Sequence, residues 1–595
     1  MRRTSWIGAT AAGLLHAVVY ALAFPPYDLW PLAYVALIPI VLLALRTSSR
    51  TRAATAVWLT STLSWLWVQR WMIDVTGPGY VLLAMAQGAF PALFTWVLAT
   101  LRPRGRAPVV TGLTNVLLVP LLWTATEMLR GSPLFFTGYP WFLLAHPLIA
   151  QPVLCQTADL LGTYFVSFCA ATFAGVVADL LTLPLFRNGR FALSIRVSTG
   201  VFIIVQTFVI AYGLFRLSQT DRLSAADPTA IRIAAVQTNL PQNNKQAWTI
   251  EQQFTDFAHF VELTRELAAP SGDGPRPDLI VWPETMVPGV ALNVEAIRDT
   301  YRIEQEIGRD LRAVRYFHGA LAQLSRELHT PMLVGGSAVD ELQYASETTT
   351  DADGKEKTVG RWKWKARYNS AMLFGDDGAL AEQRYDKMHR TPFGEVIPFA
   401  HRWPSVQQWL LNLGAKGMSF DLDAGQAFDR IPVPFDQKVR SEVLVGTPIC
   451  FESTMPYVCR ALVHGGDGGR ADLLINLTND GWFGNFPGGR EQHLQIGRFR
   501  CIENRVPMVR AANTGISAAI DSAGRMIQYG PNRPPGSAAG NVEGVMIASV
   551  PLDSRRSLYS RIGDAFGWTC LGLTAILSLL AVRSRRANRE SKEVA

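Results

Sequence analysis

The chain has 595 residues, of which 49% are hydrophobic and only 17% charged. Soluble chains carry roughly 25% charged residues, and this length exceeds one ordinary domain, so a single water-soluble domain is excluded. The net charge of +8 comes largely from arginines beside apolar segments, which marks membrane topology rather than a nucleic-acid footprint.

A spanning helix needs about 20 mostly apolar residues. Eight segments qualify as candidates: 5–24, 29–45, 53–69, 79–101, 109–129, 161–183, 197–216 and 564–582. The first ends in Ala21-Leu22-Ala23, which mimics a signal-peptidase site, but the hydrophobic segments that follow argue against cleavage. Arginine alternates from loop to loop. It is dense before segment one (Arg2, Arg3), after segment two (Arg46, Arg50, Arg52), after segment four (Arg102, Arg104, Arg106), after segment six (Arg187, Arg190, Arg196) and in the tail (Arg583, Arg585, Arg586, Arg589). The intervening connections are poor in Lys and Arg. The positive-inside rule then places both termini in the cytoplasm. Seven spans before residue 218 send the next domain outward, into the periplasm of a bacterium with two membranes. The expected organisation is a membrane domain over 1–217, a catalytic domain over 218–560, and an eighth span with a basic tail over 561–595.

Residues 218–560 alternate between short apolar runs and helix-compatible stretches, the pattern of a layered α/β domain. The runs at 231–237, 278–283, 331–337, 368–374, 442–449, 472–478, 507–512, 516–521 and 544–550 read as buried strands. The stretches 248–268, 298–329 and 488–504 read as helices. Residues 347–365 read as a hairpin tip or excursion loop, and 528–544 as a Gly/Pro-rich loop. No nucleotide-binding glycine loop occurs. The six cysteines and nine histidines show no CxxC, no HExxH and no metal-type spacing, so no metal site is expected.

In open α/β sheets functional residues gather past the carboxyl ends of strands. Glu284 follows the run "DLIVWP"; burial there would raise its pKa and suit a general base, although a surface loop glutamate fits the same letters. Lys387, in "RYDKMHRTPFGE", reads alone as a solvated lysine, or as one paired with Glu395. Cys450, in "GTPICFES", ends an apolar run just before a helix start marked by Ser453 and Pro456. Most cysteines are small buried hydrophobes, yet a helix N-terminus lowers a thiol's pKa and offers backbone N–H groups to an oxyanion. "NDGWFG", 479–484, follows a further run.

"LIVWPET", "RYDKMHRTPFGE" and "GTPICFES" in this order resemble the nitrilase (carbon–nitrogen hydrolase) superfamily, and the flanking spans, "VQTNLPQ", "TGYPW" and "NDGWFG" resemble its membrane-bound, acyl-transferring branch. The resemblance implies an αββα sandwich joined to a multi-span helical membrane domain. It implies Cys450 as nucleophile, Glu284 as base and Lys387 as oxyanion stabiliser, with Glu395, Phe451 and Glu452 supporting. Trp141, Trp248, Asn369 and Trp482 match substrate-side positions. Phe451 departs from the tyrosine common in the family. No cofactor is implied. The implied reaction moves a fatty acyl chain from a phospholipid, typically phosphatidylethanolamine, through a Cys450 thioester. The acceptor is the α-amino group of the diacylglyceryl-cysteine that begins an apolipoprotein, in the last step of lipoprotein maturation at the bacterial inner membrane. Two rivals stand beside it: a membrane-tethered amidase acting on a small amide, and a receptor or transporter with an inactive domain, for which Glu127 is the main charged residue within the spans.

Overall fold

The computed structural model describes residues 5–102, 114–134, 138–187, 190–226, 230–240, 248–268, 275–308, 310–350, 356–392, 395–396, 422–437, 440–465, 469–484, 486–531 and 542–593. The arginines at 2, 3, 104 and 106 lie outside them, as do the centre of the polar loop (351–355) and most of the Gly/Pro-rich loop (532–541).

A helix occupies each of the eight apolar segments: α1 (Trp6–Ala23), α2 (Ile38–Arg46), α3 (Arg50–Val68), α4 (Gly77–Leu101), α5 (Asn115–Gly131), α6 (Thr163–Thr182), α7 (Leu193–Ala226) and, after the α/β domain, a last helix Ala565–Glu593. Five of these, α1, α4, α6, α7 and the last, are long and apolar enough to cross a membrane by length and composition. α2 is short, α3 opens with two arginines, and α5 carries buried Glu127 and Arg130. The outer faces of α7 and the last helix expose Ile203, Ile204, Phe208, Leu214, Ile576 and Leu579. An apolar belt of that size is the surface a bilayer covers. Glu127 has a structural use: its Oε1 accepts from the Trp123 indole at 3.0 Å and the Leu144 N–H at 2.7 Å, pinning the 138–150 loop to α5.

The α/β domain is a sandwich of two six-stranded sheets. In chain order its strands are β1 (Ala230–Gln237), β2 (Leu279–Val281), β3 (Met332–Asp340), β4 (Gln343–Thr350), β5 (Glu356–Lys363), β6 (Ala366–Phe374), β7 (Leu380–Asp386), β8 (Ile431–Gln437), β9 (Arg440–Gly446), β10 (Leu473–Thr478), β11 (Met508–Ala512), β12 (Ala518–Ile520), β13 (Met526–Tyr529) and β14 (Gly544–Pro551). The first sheet runs β14-β1-β2-β3-β6-β7 and the second β8-β9-β10-β11-β12-β13. Strand alternation divides the apolar residues between two layers. Ile231, Ile233, Ala235 and Val281 join Val443, Val445 and Leu473 in the core between the sheets. Ala234, Val236, Ile280 and Trp282 turn outward, under Phe257 and Phe260 of α8 (Ile250–Ala268) and Phe317 and Leu321 of α10 (Arg312–Leu328). α11 (Pro456–His464) and α12 (Pro487–Asn504) cover the second sheet, which completes the αββα order, and the last helix becomes α13.

Every run read as a strand is one. The single helix expected over 298–329 is two, α9 (Val294–Ile307) and α10, because Gly308 takes a left-handed φ of 64° and stops the first. Of the two readings of 347–365 the hairpin holds: β4 pairs antiparallel with β5 from Gln343↔Lys363 to Thr350↔Glu356. β7, β8 and β13 lacked a sequence signal. β7 is polar "LAEQRYD" and half-exposed at a sheet edge, and β8 carries two prolines, which an edge strand tolerates.

Candidate active site

Sheet direction explains why distant residues meet. β1, β2 and β3 are parallel, β6 is antiparallel to β3, and β7 is antiparallel to β6. β2 and β7 therefore end at the same edge, where β6 begins. Glu284 lies three residues past β2, Lys387 directly past β7, and Asn369 near the start of β6. In the second sheet β9, β10 and β11 are parallel, and Cys450 and Asn479 follow β9 and β10. The Glu284 turn fits because Gly335 lies beneath it: a Cβ there would stand 2.4 Å from the Pro283 carbonyl oxygen.

Lys387 is buried, and its Nζ lies 2.9 Å from Glu395, 3.6 Å from Glu284 Oε1 and 3.2 Å from Thr391 Oγ1. Burial pulls this ammonium's pKa down, but Glu395, Glu284 and Cys450 together outweigh it and the pKa is raised, so Lys387 stays charged. Burial works against ionising Glu395 too, yet Lys387 and the Thr391 N–H hold its pKa below the ordinary value. Glu284 is buried, accepting from Asn369 Nδ2 at 2.8 Å and from the Asn479 N–H at 3.1 Å. Both carboxylates are thus engaged by one ammonium and one amide.

Cys450 opens a short 3₁₀ turn, Cys450–Thr454, with a left-handed φ of 52°. That conformation costs a non-glycine residue about 1–2 kcal/mol and persists where surroundings over-determine it. Here the Cys450 carbonyl oxygen accepts from Ser453 Oγ at 3.1 Å and lies 3.2 Å from His493 Nε2 and 3.4 Å from Asn476 Nδ2. The expectation of a lowered thiol pKa is overturned. Burial, then the Glu284 carboxylate, pushes Cys450 up; Lys387 and a bond with the Thr478 side chain offset only part. A one-turn 3₁₀ segment in a desolvated site supplies less field than burial removes. At rest Cys450 is a neutral thiol.

Glu452 is fully buried and ties the two sheets together. Oε1 accepts from the N–H groups of Met388 and His389 and from Tyr385 Oη, and Oε2 accepts from the Ile449 N–H at 2.8 Å. These donors flank Lys387 on one side and Cys450 on the other. Burial raises Glu452 to about 7, since those bonds only partly offset desolvation.

Behind Cys450 lies a network without a clear sequence signal. His493 of α12 stands 3.1 Å from Asp480 and 3.0 Å from Arg510, and Arg510 reaches Asn476 at 3.0 Å. Burial and Arg510 lower His493, so the ring is neutral. Burial opposes ionised Asp480, but Arg510 and His493 hold its pKa well below the ordinary range. The one available clue was Arg510 itself, a charge inside the apolar run "PMVRAA".

The substrate-side residues divide. Asn369 sits between Glu284 and Glu395, its Nδ2 2.8 and 3.3 Å from them, so it holds both carboxylates in place. Trp141 is buried against His493 (5.6 Å between ring centres), Trp71 (5.0 Å) and Phe483 (5.8 Å), which carries the membrane-side loop up to the network behind Cys450. Trp482 is half-buried in the turn Asp480–Phe483. Trp248 stands just before α8, where its indole donates to Asp256 at 2.8 Å and packs against the outer layer. Phe451 stacks on His389 (5.7 Å).

Residues 16–176 match the apolipoprotein N-acyltransferase N-terminal domain, and residues 232–559 match the carbon-nitrogen hydrolase family. A relative from Geobacter metallireducens named apolipoprotein N-acyltransferase is 30% identical over 587 residues, covering 97% of this chain and 96% of that one. Relatives of the same name from Chlorobaculum tepidum and Caulobacter vibrioides are 28% and 29% identical, each over at least 96% of both chains. Over nearly its whole length, membrane helices and sandwich alike, the chain belongs to the apolipoprotein N-acyltransferase family.

Proposed function

We propose that this acyltransferase moves a fatty acyl chain from a phospholipid, phosphatidylethanolamine in the first instance, to the α-amino group of the diacylglyceryl-cysteine at the start of an apolipoprotein. The observation that carries the reading is the neutral Cys450 thiol beside Glu284 and a permanently charged Lys387, in a domain joined at both ends to apolar helices. Glu284 takes the thiol proton as sulfur attacks the sn-1 ester carbonyl. The oxyanion that forms is stabilised by the Lys387 ammonium and the Phe451 N–H. When the tetrahedral intermediate collapses, the C–O bond breaks, Glu284 returns its proton to the leaving alkoxide, and lysophospholipid departs from a thioester. In the second half Glu284 removes a proton from the acceptor ammonium. The amine attacks the thioester, the C–S bond breaks, the second proton of the attacking nitrogen passes to the leaving thiolate, and Glu284 releases its proton to solvent. Glu395 and Asn369 fix Lys387 and Glu284, and Trp141 and Trp482 line the approach.

Apolar helices on both sides of the domain support a site at the bilayer surface, where each CH₂ of a lipid chain left in the membrane contributes ~0.8 kcal/mol to binding. The reading divides the chain into a membrane domain over 1–217, a periplasmic catalytic domain over 218–560 and a final span over 561–595, with both termini cytoplasmic. Incubation of the full-length protein with phospholipid and a diacylglyceryl lipopeptide tests it. The expected product is an N-acylated peptide by mass spectrometry. Ammonia release from a small amide, with no acylated peptide, would favour the amidase instead.

A further inference from the structure

A second polar site lies away from the triad. A cleft of 440 Å³ is lined by Arg430, Arg460, His464, Asp429, Gln383 and Ser560, among others. It opens at the C-terminal end of α11, whose N-terminal end follows the Cys450 turn. Nine helical residues rise about 14 Å. Only a few bonds separate a phospholipid's ester from its phosphate, so a lipid under attack at Cys450 cannot place its phosphate here.

Two arginines, Arg430 and Arg460, line the cleft against one carboxylate, and Arg470 and Arg556 lie behind it. Arg470, Arg460, Arg556 and Arg430 all act on His464, and Asp429 is the carboxylate among the lining residues. Burial and these arginines lower His464 to about 4, so it is neutral near pH 7. Its Nε2 is buried without a hydrogen-bond partner among the described residues. Arg460 donates Nε to the Ser560 carbonyl at 2.9 Å and Nη2 to the Arg561 carbonyl at 3.0 Å, two of a guanidinium's five donors. Crowded arginines repel one another unless an anion joins them, and the guanidinium fork matches phosphate oxygens.

The cleft also lies at the membrane boundary. A Cβ on Gly563, a residue with φ 57°, would stand 3.5 Å from the Arg460 guanidinium. The spanning helix α13 begins two residues later, at Ala565.

We propose that this cleft binds a phosphate group at the membrane surface, at a site separate from the acyl-transfer centre. The full-length protein in detergent micelles, titrated with ether-linked phosphatidylglycerol and followed by native mass spectrometry, tests this. The ether lipid has no ester to transfer. Wild type is expected to bind one equivalent more than Arg460→Gln/His464→Gln, and more than Ala461→Glu, which sets a carboxylate in the cleft and leaves the arginines intact. Each variant should weaken that equivalent by about tenfold or more while acyl transfer stays within about twofold. Inorganic phosphate that displaces the extra lipid assigns the site to free phosphate; phosphate that leaves it bound assigns it to the lipid headgroup. Equal lipid binding in wild type and both variants overturns the proposal.

Discussion

At the scale of residues, the site is governed by where charge is stored before reaction. Lys387 holds a buried positive charge between two carboxylates, while burial and Glu284 hold Cys450 as a thiol above its ordinary pKa of 9.0. In the proposed mechanism deprotonation accompanies attack, which assigns the proton to the Glu284 carboxylate. Glu284→Gln keeps an oxygen for Asn369 but cannot take a proton, so turnover should fall ~10²–10⁴-fold. Raising the pH to 9 should not restore it, because the thiol is still protonated there. Recovery of the variant at alkaline pH would mean that an ordinary solvent-ionised thiolate performs the reaction. Much of this was legible in the sequence. Glu284 and Cys450 each end or follow a readable run, Lys387 follows the unreadable β7, and the order of the three motifs carried the family resemblance. The thiol's raised pKa was not legible, since a helix start is local while desolvation comes from both sheets and the membrane-side loop. The contact of Asn369 with both carboxylates was hidden for a similar reason: only the antiparallel turn of β6 brings it between Glu284 and Glu395.

Elements meet at Glu452, where the segment after β7 and the segment after β9 share one carboxylate. Its pKa is raised from 4.5 to about 7 by burial, so the fold binds the proton more tightly than the unfolded chain does. The resulting stabilisation is fully present below about pH 4.5 and is lost as pH rises through about 7. Glu452→Gln should abolish that pH dependence, seen as a smaller fall in Tm between pH 5 and 8 than wild type shows. It should also depress turnover, because an amide nitrogen directed at N–H groups loosens the registration of Lys387 against Cys450. An unaltered Tm-against-pH curve would refute the assignment of this carboxylate as the titrating group. Strands with continuous apolar runs were readable. β7 and β8 were not, because edge strands need neither alternation nor freedom from proline, and Gly308 divides a helix whose amphipathic pattern looks continuous on both sides.

For the whole molecule, α12 is the joint. One face carries His493 to the Cys450 carbonyl, while Gln492 meets His146 at 3.0 Å and Glu503 meets Thr163 at 2.6 Å on the membrane side. Just past its end Arg505, fully buried, reaches Asp159 at 2.6 Å, where Arg216 of α7 also lands at 2.7 Å. Removing one partner of a buried ion cluster leaves the others uncompensated, at a cost of about 3–5 kcal/mol. Asp159→Ala should therefore lower the thermal midpoint of the detergent-solubilised protein markedly, and an unchanged midpoint would mean that the helices and the sandwich are coupled elsewhere. None of these pairs was visible in the sequence, since residues some 346 apart carry no mutual spacing signal. The central claim is that Cys450 carries the acyl chain, and intact-protein mass after exposure to phospholipid alone tests it most directly. Wild type should gain one acyl mass that Cys450→Ser lacks and that an acceptor lipopeptide removes. A wild-type mass that stays unchanged, with thioester hydrolysis excluded by the absence of released fatty acid, would contradict the account.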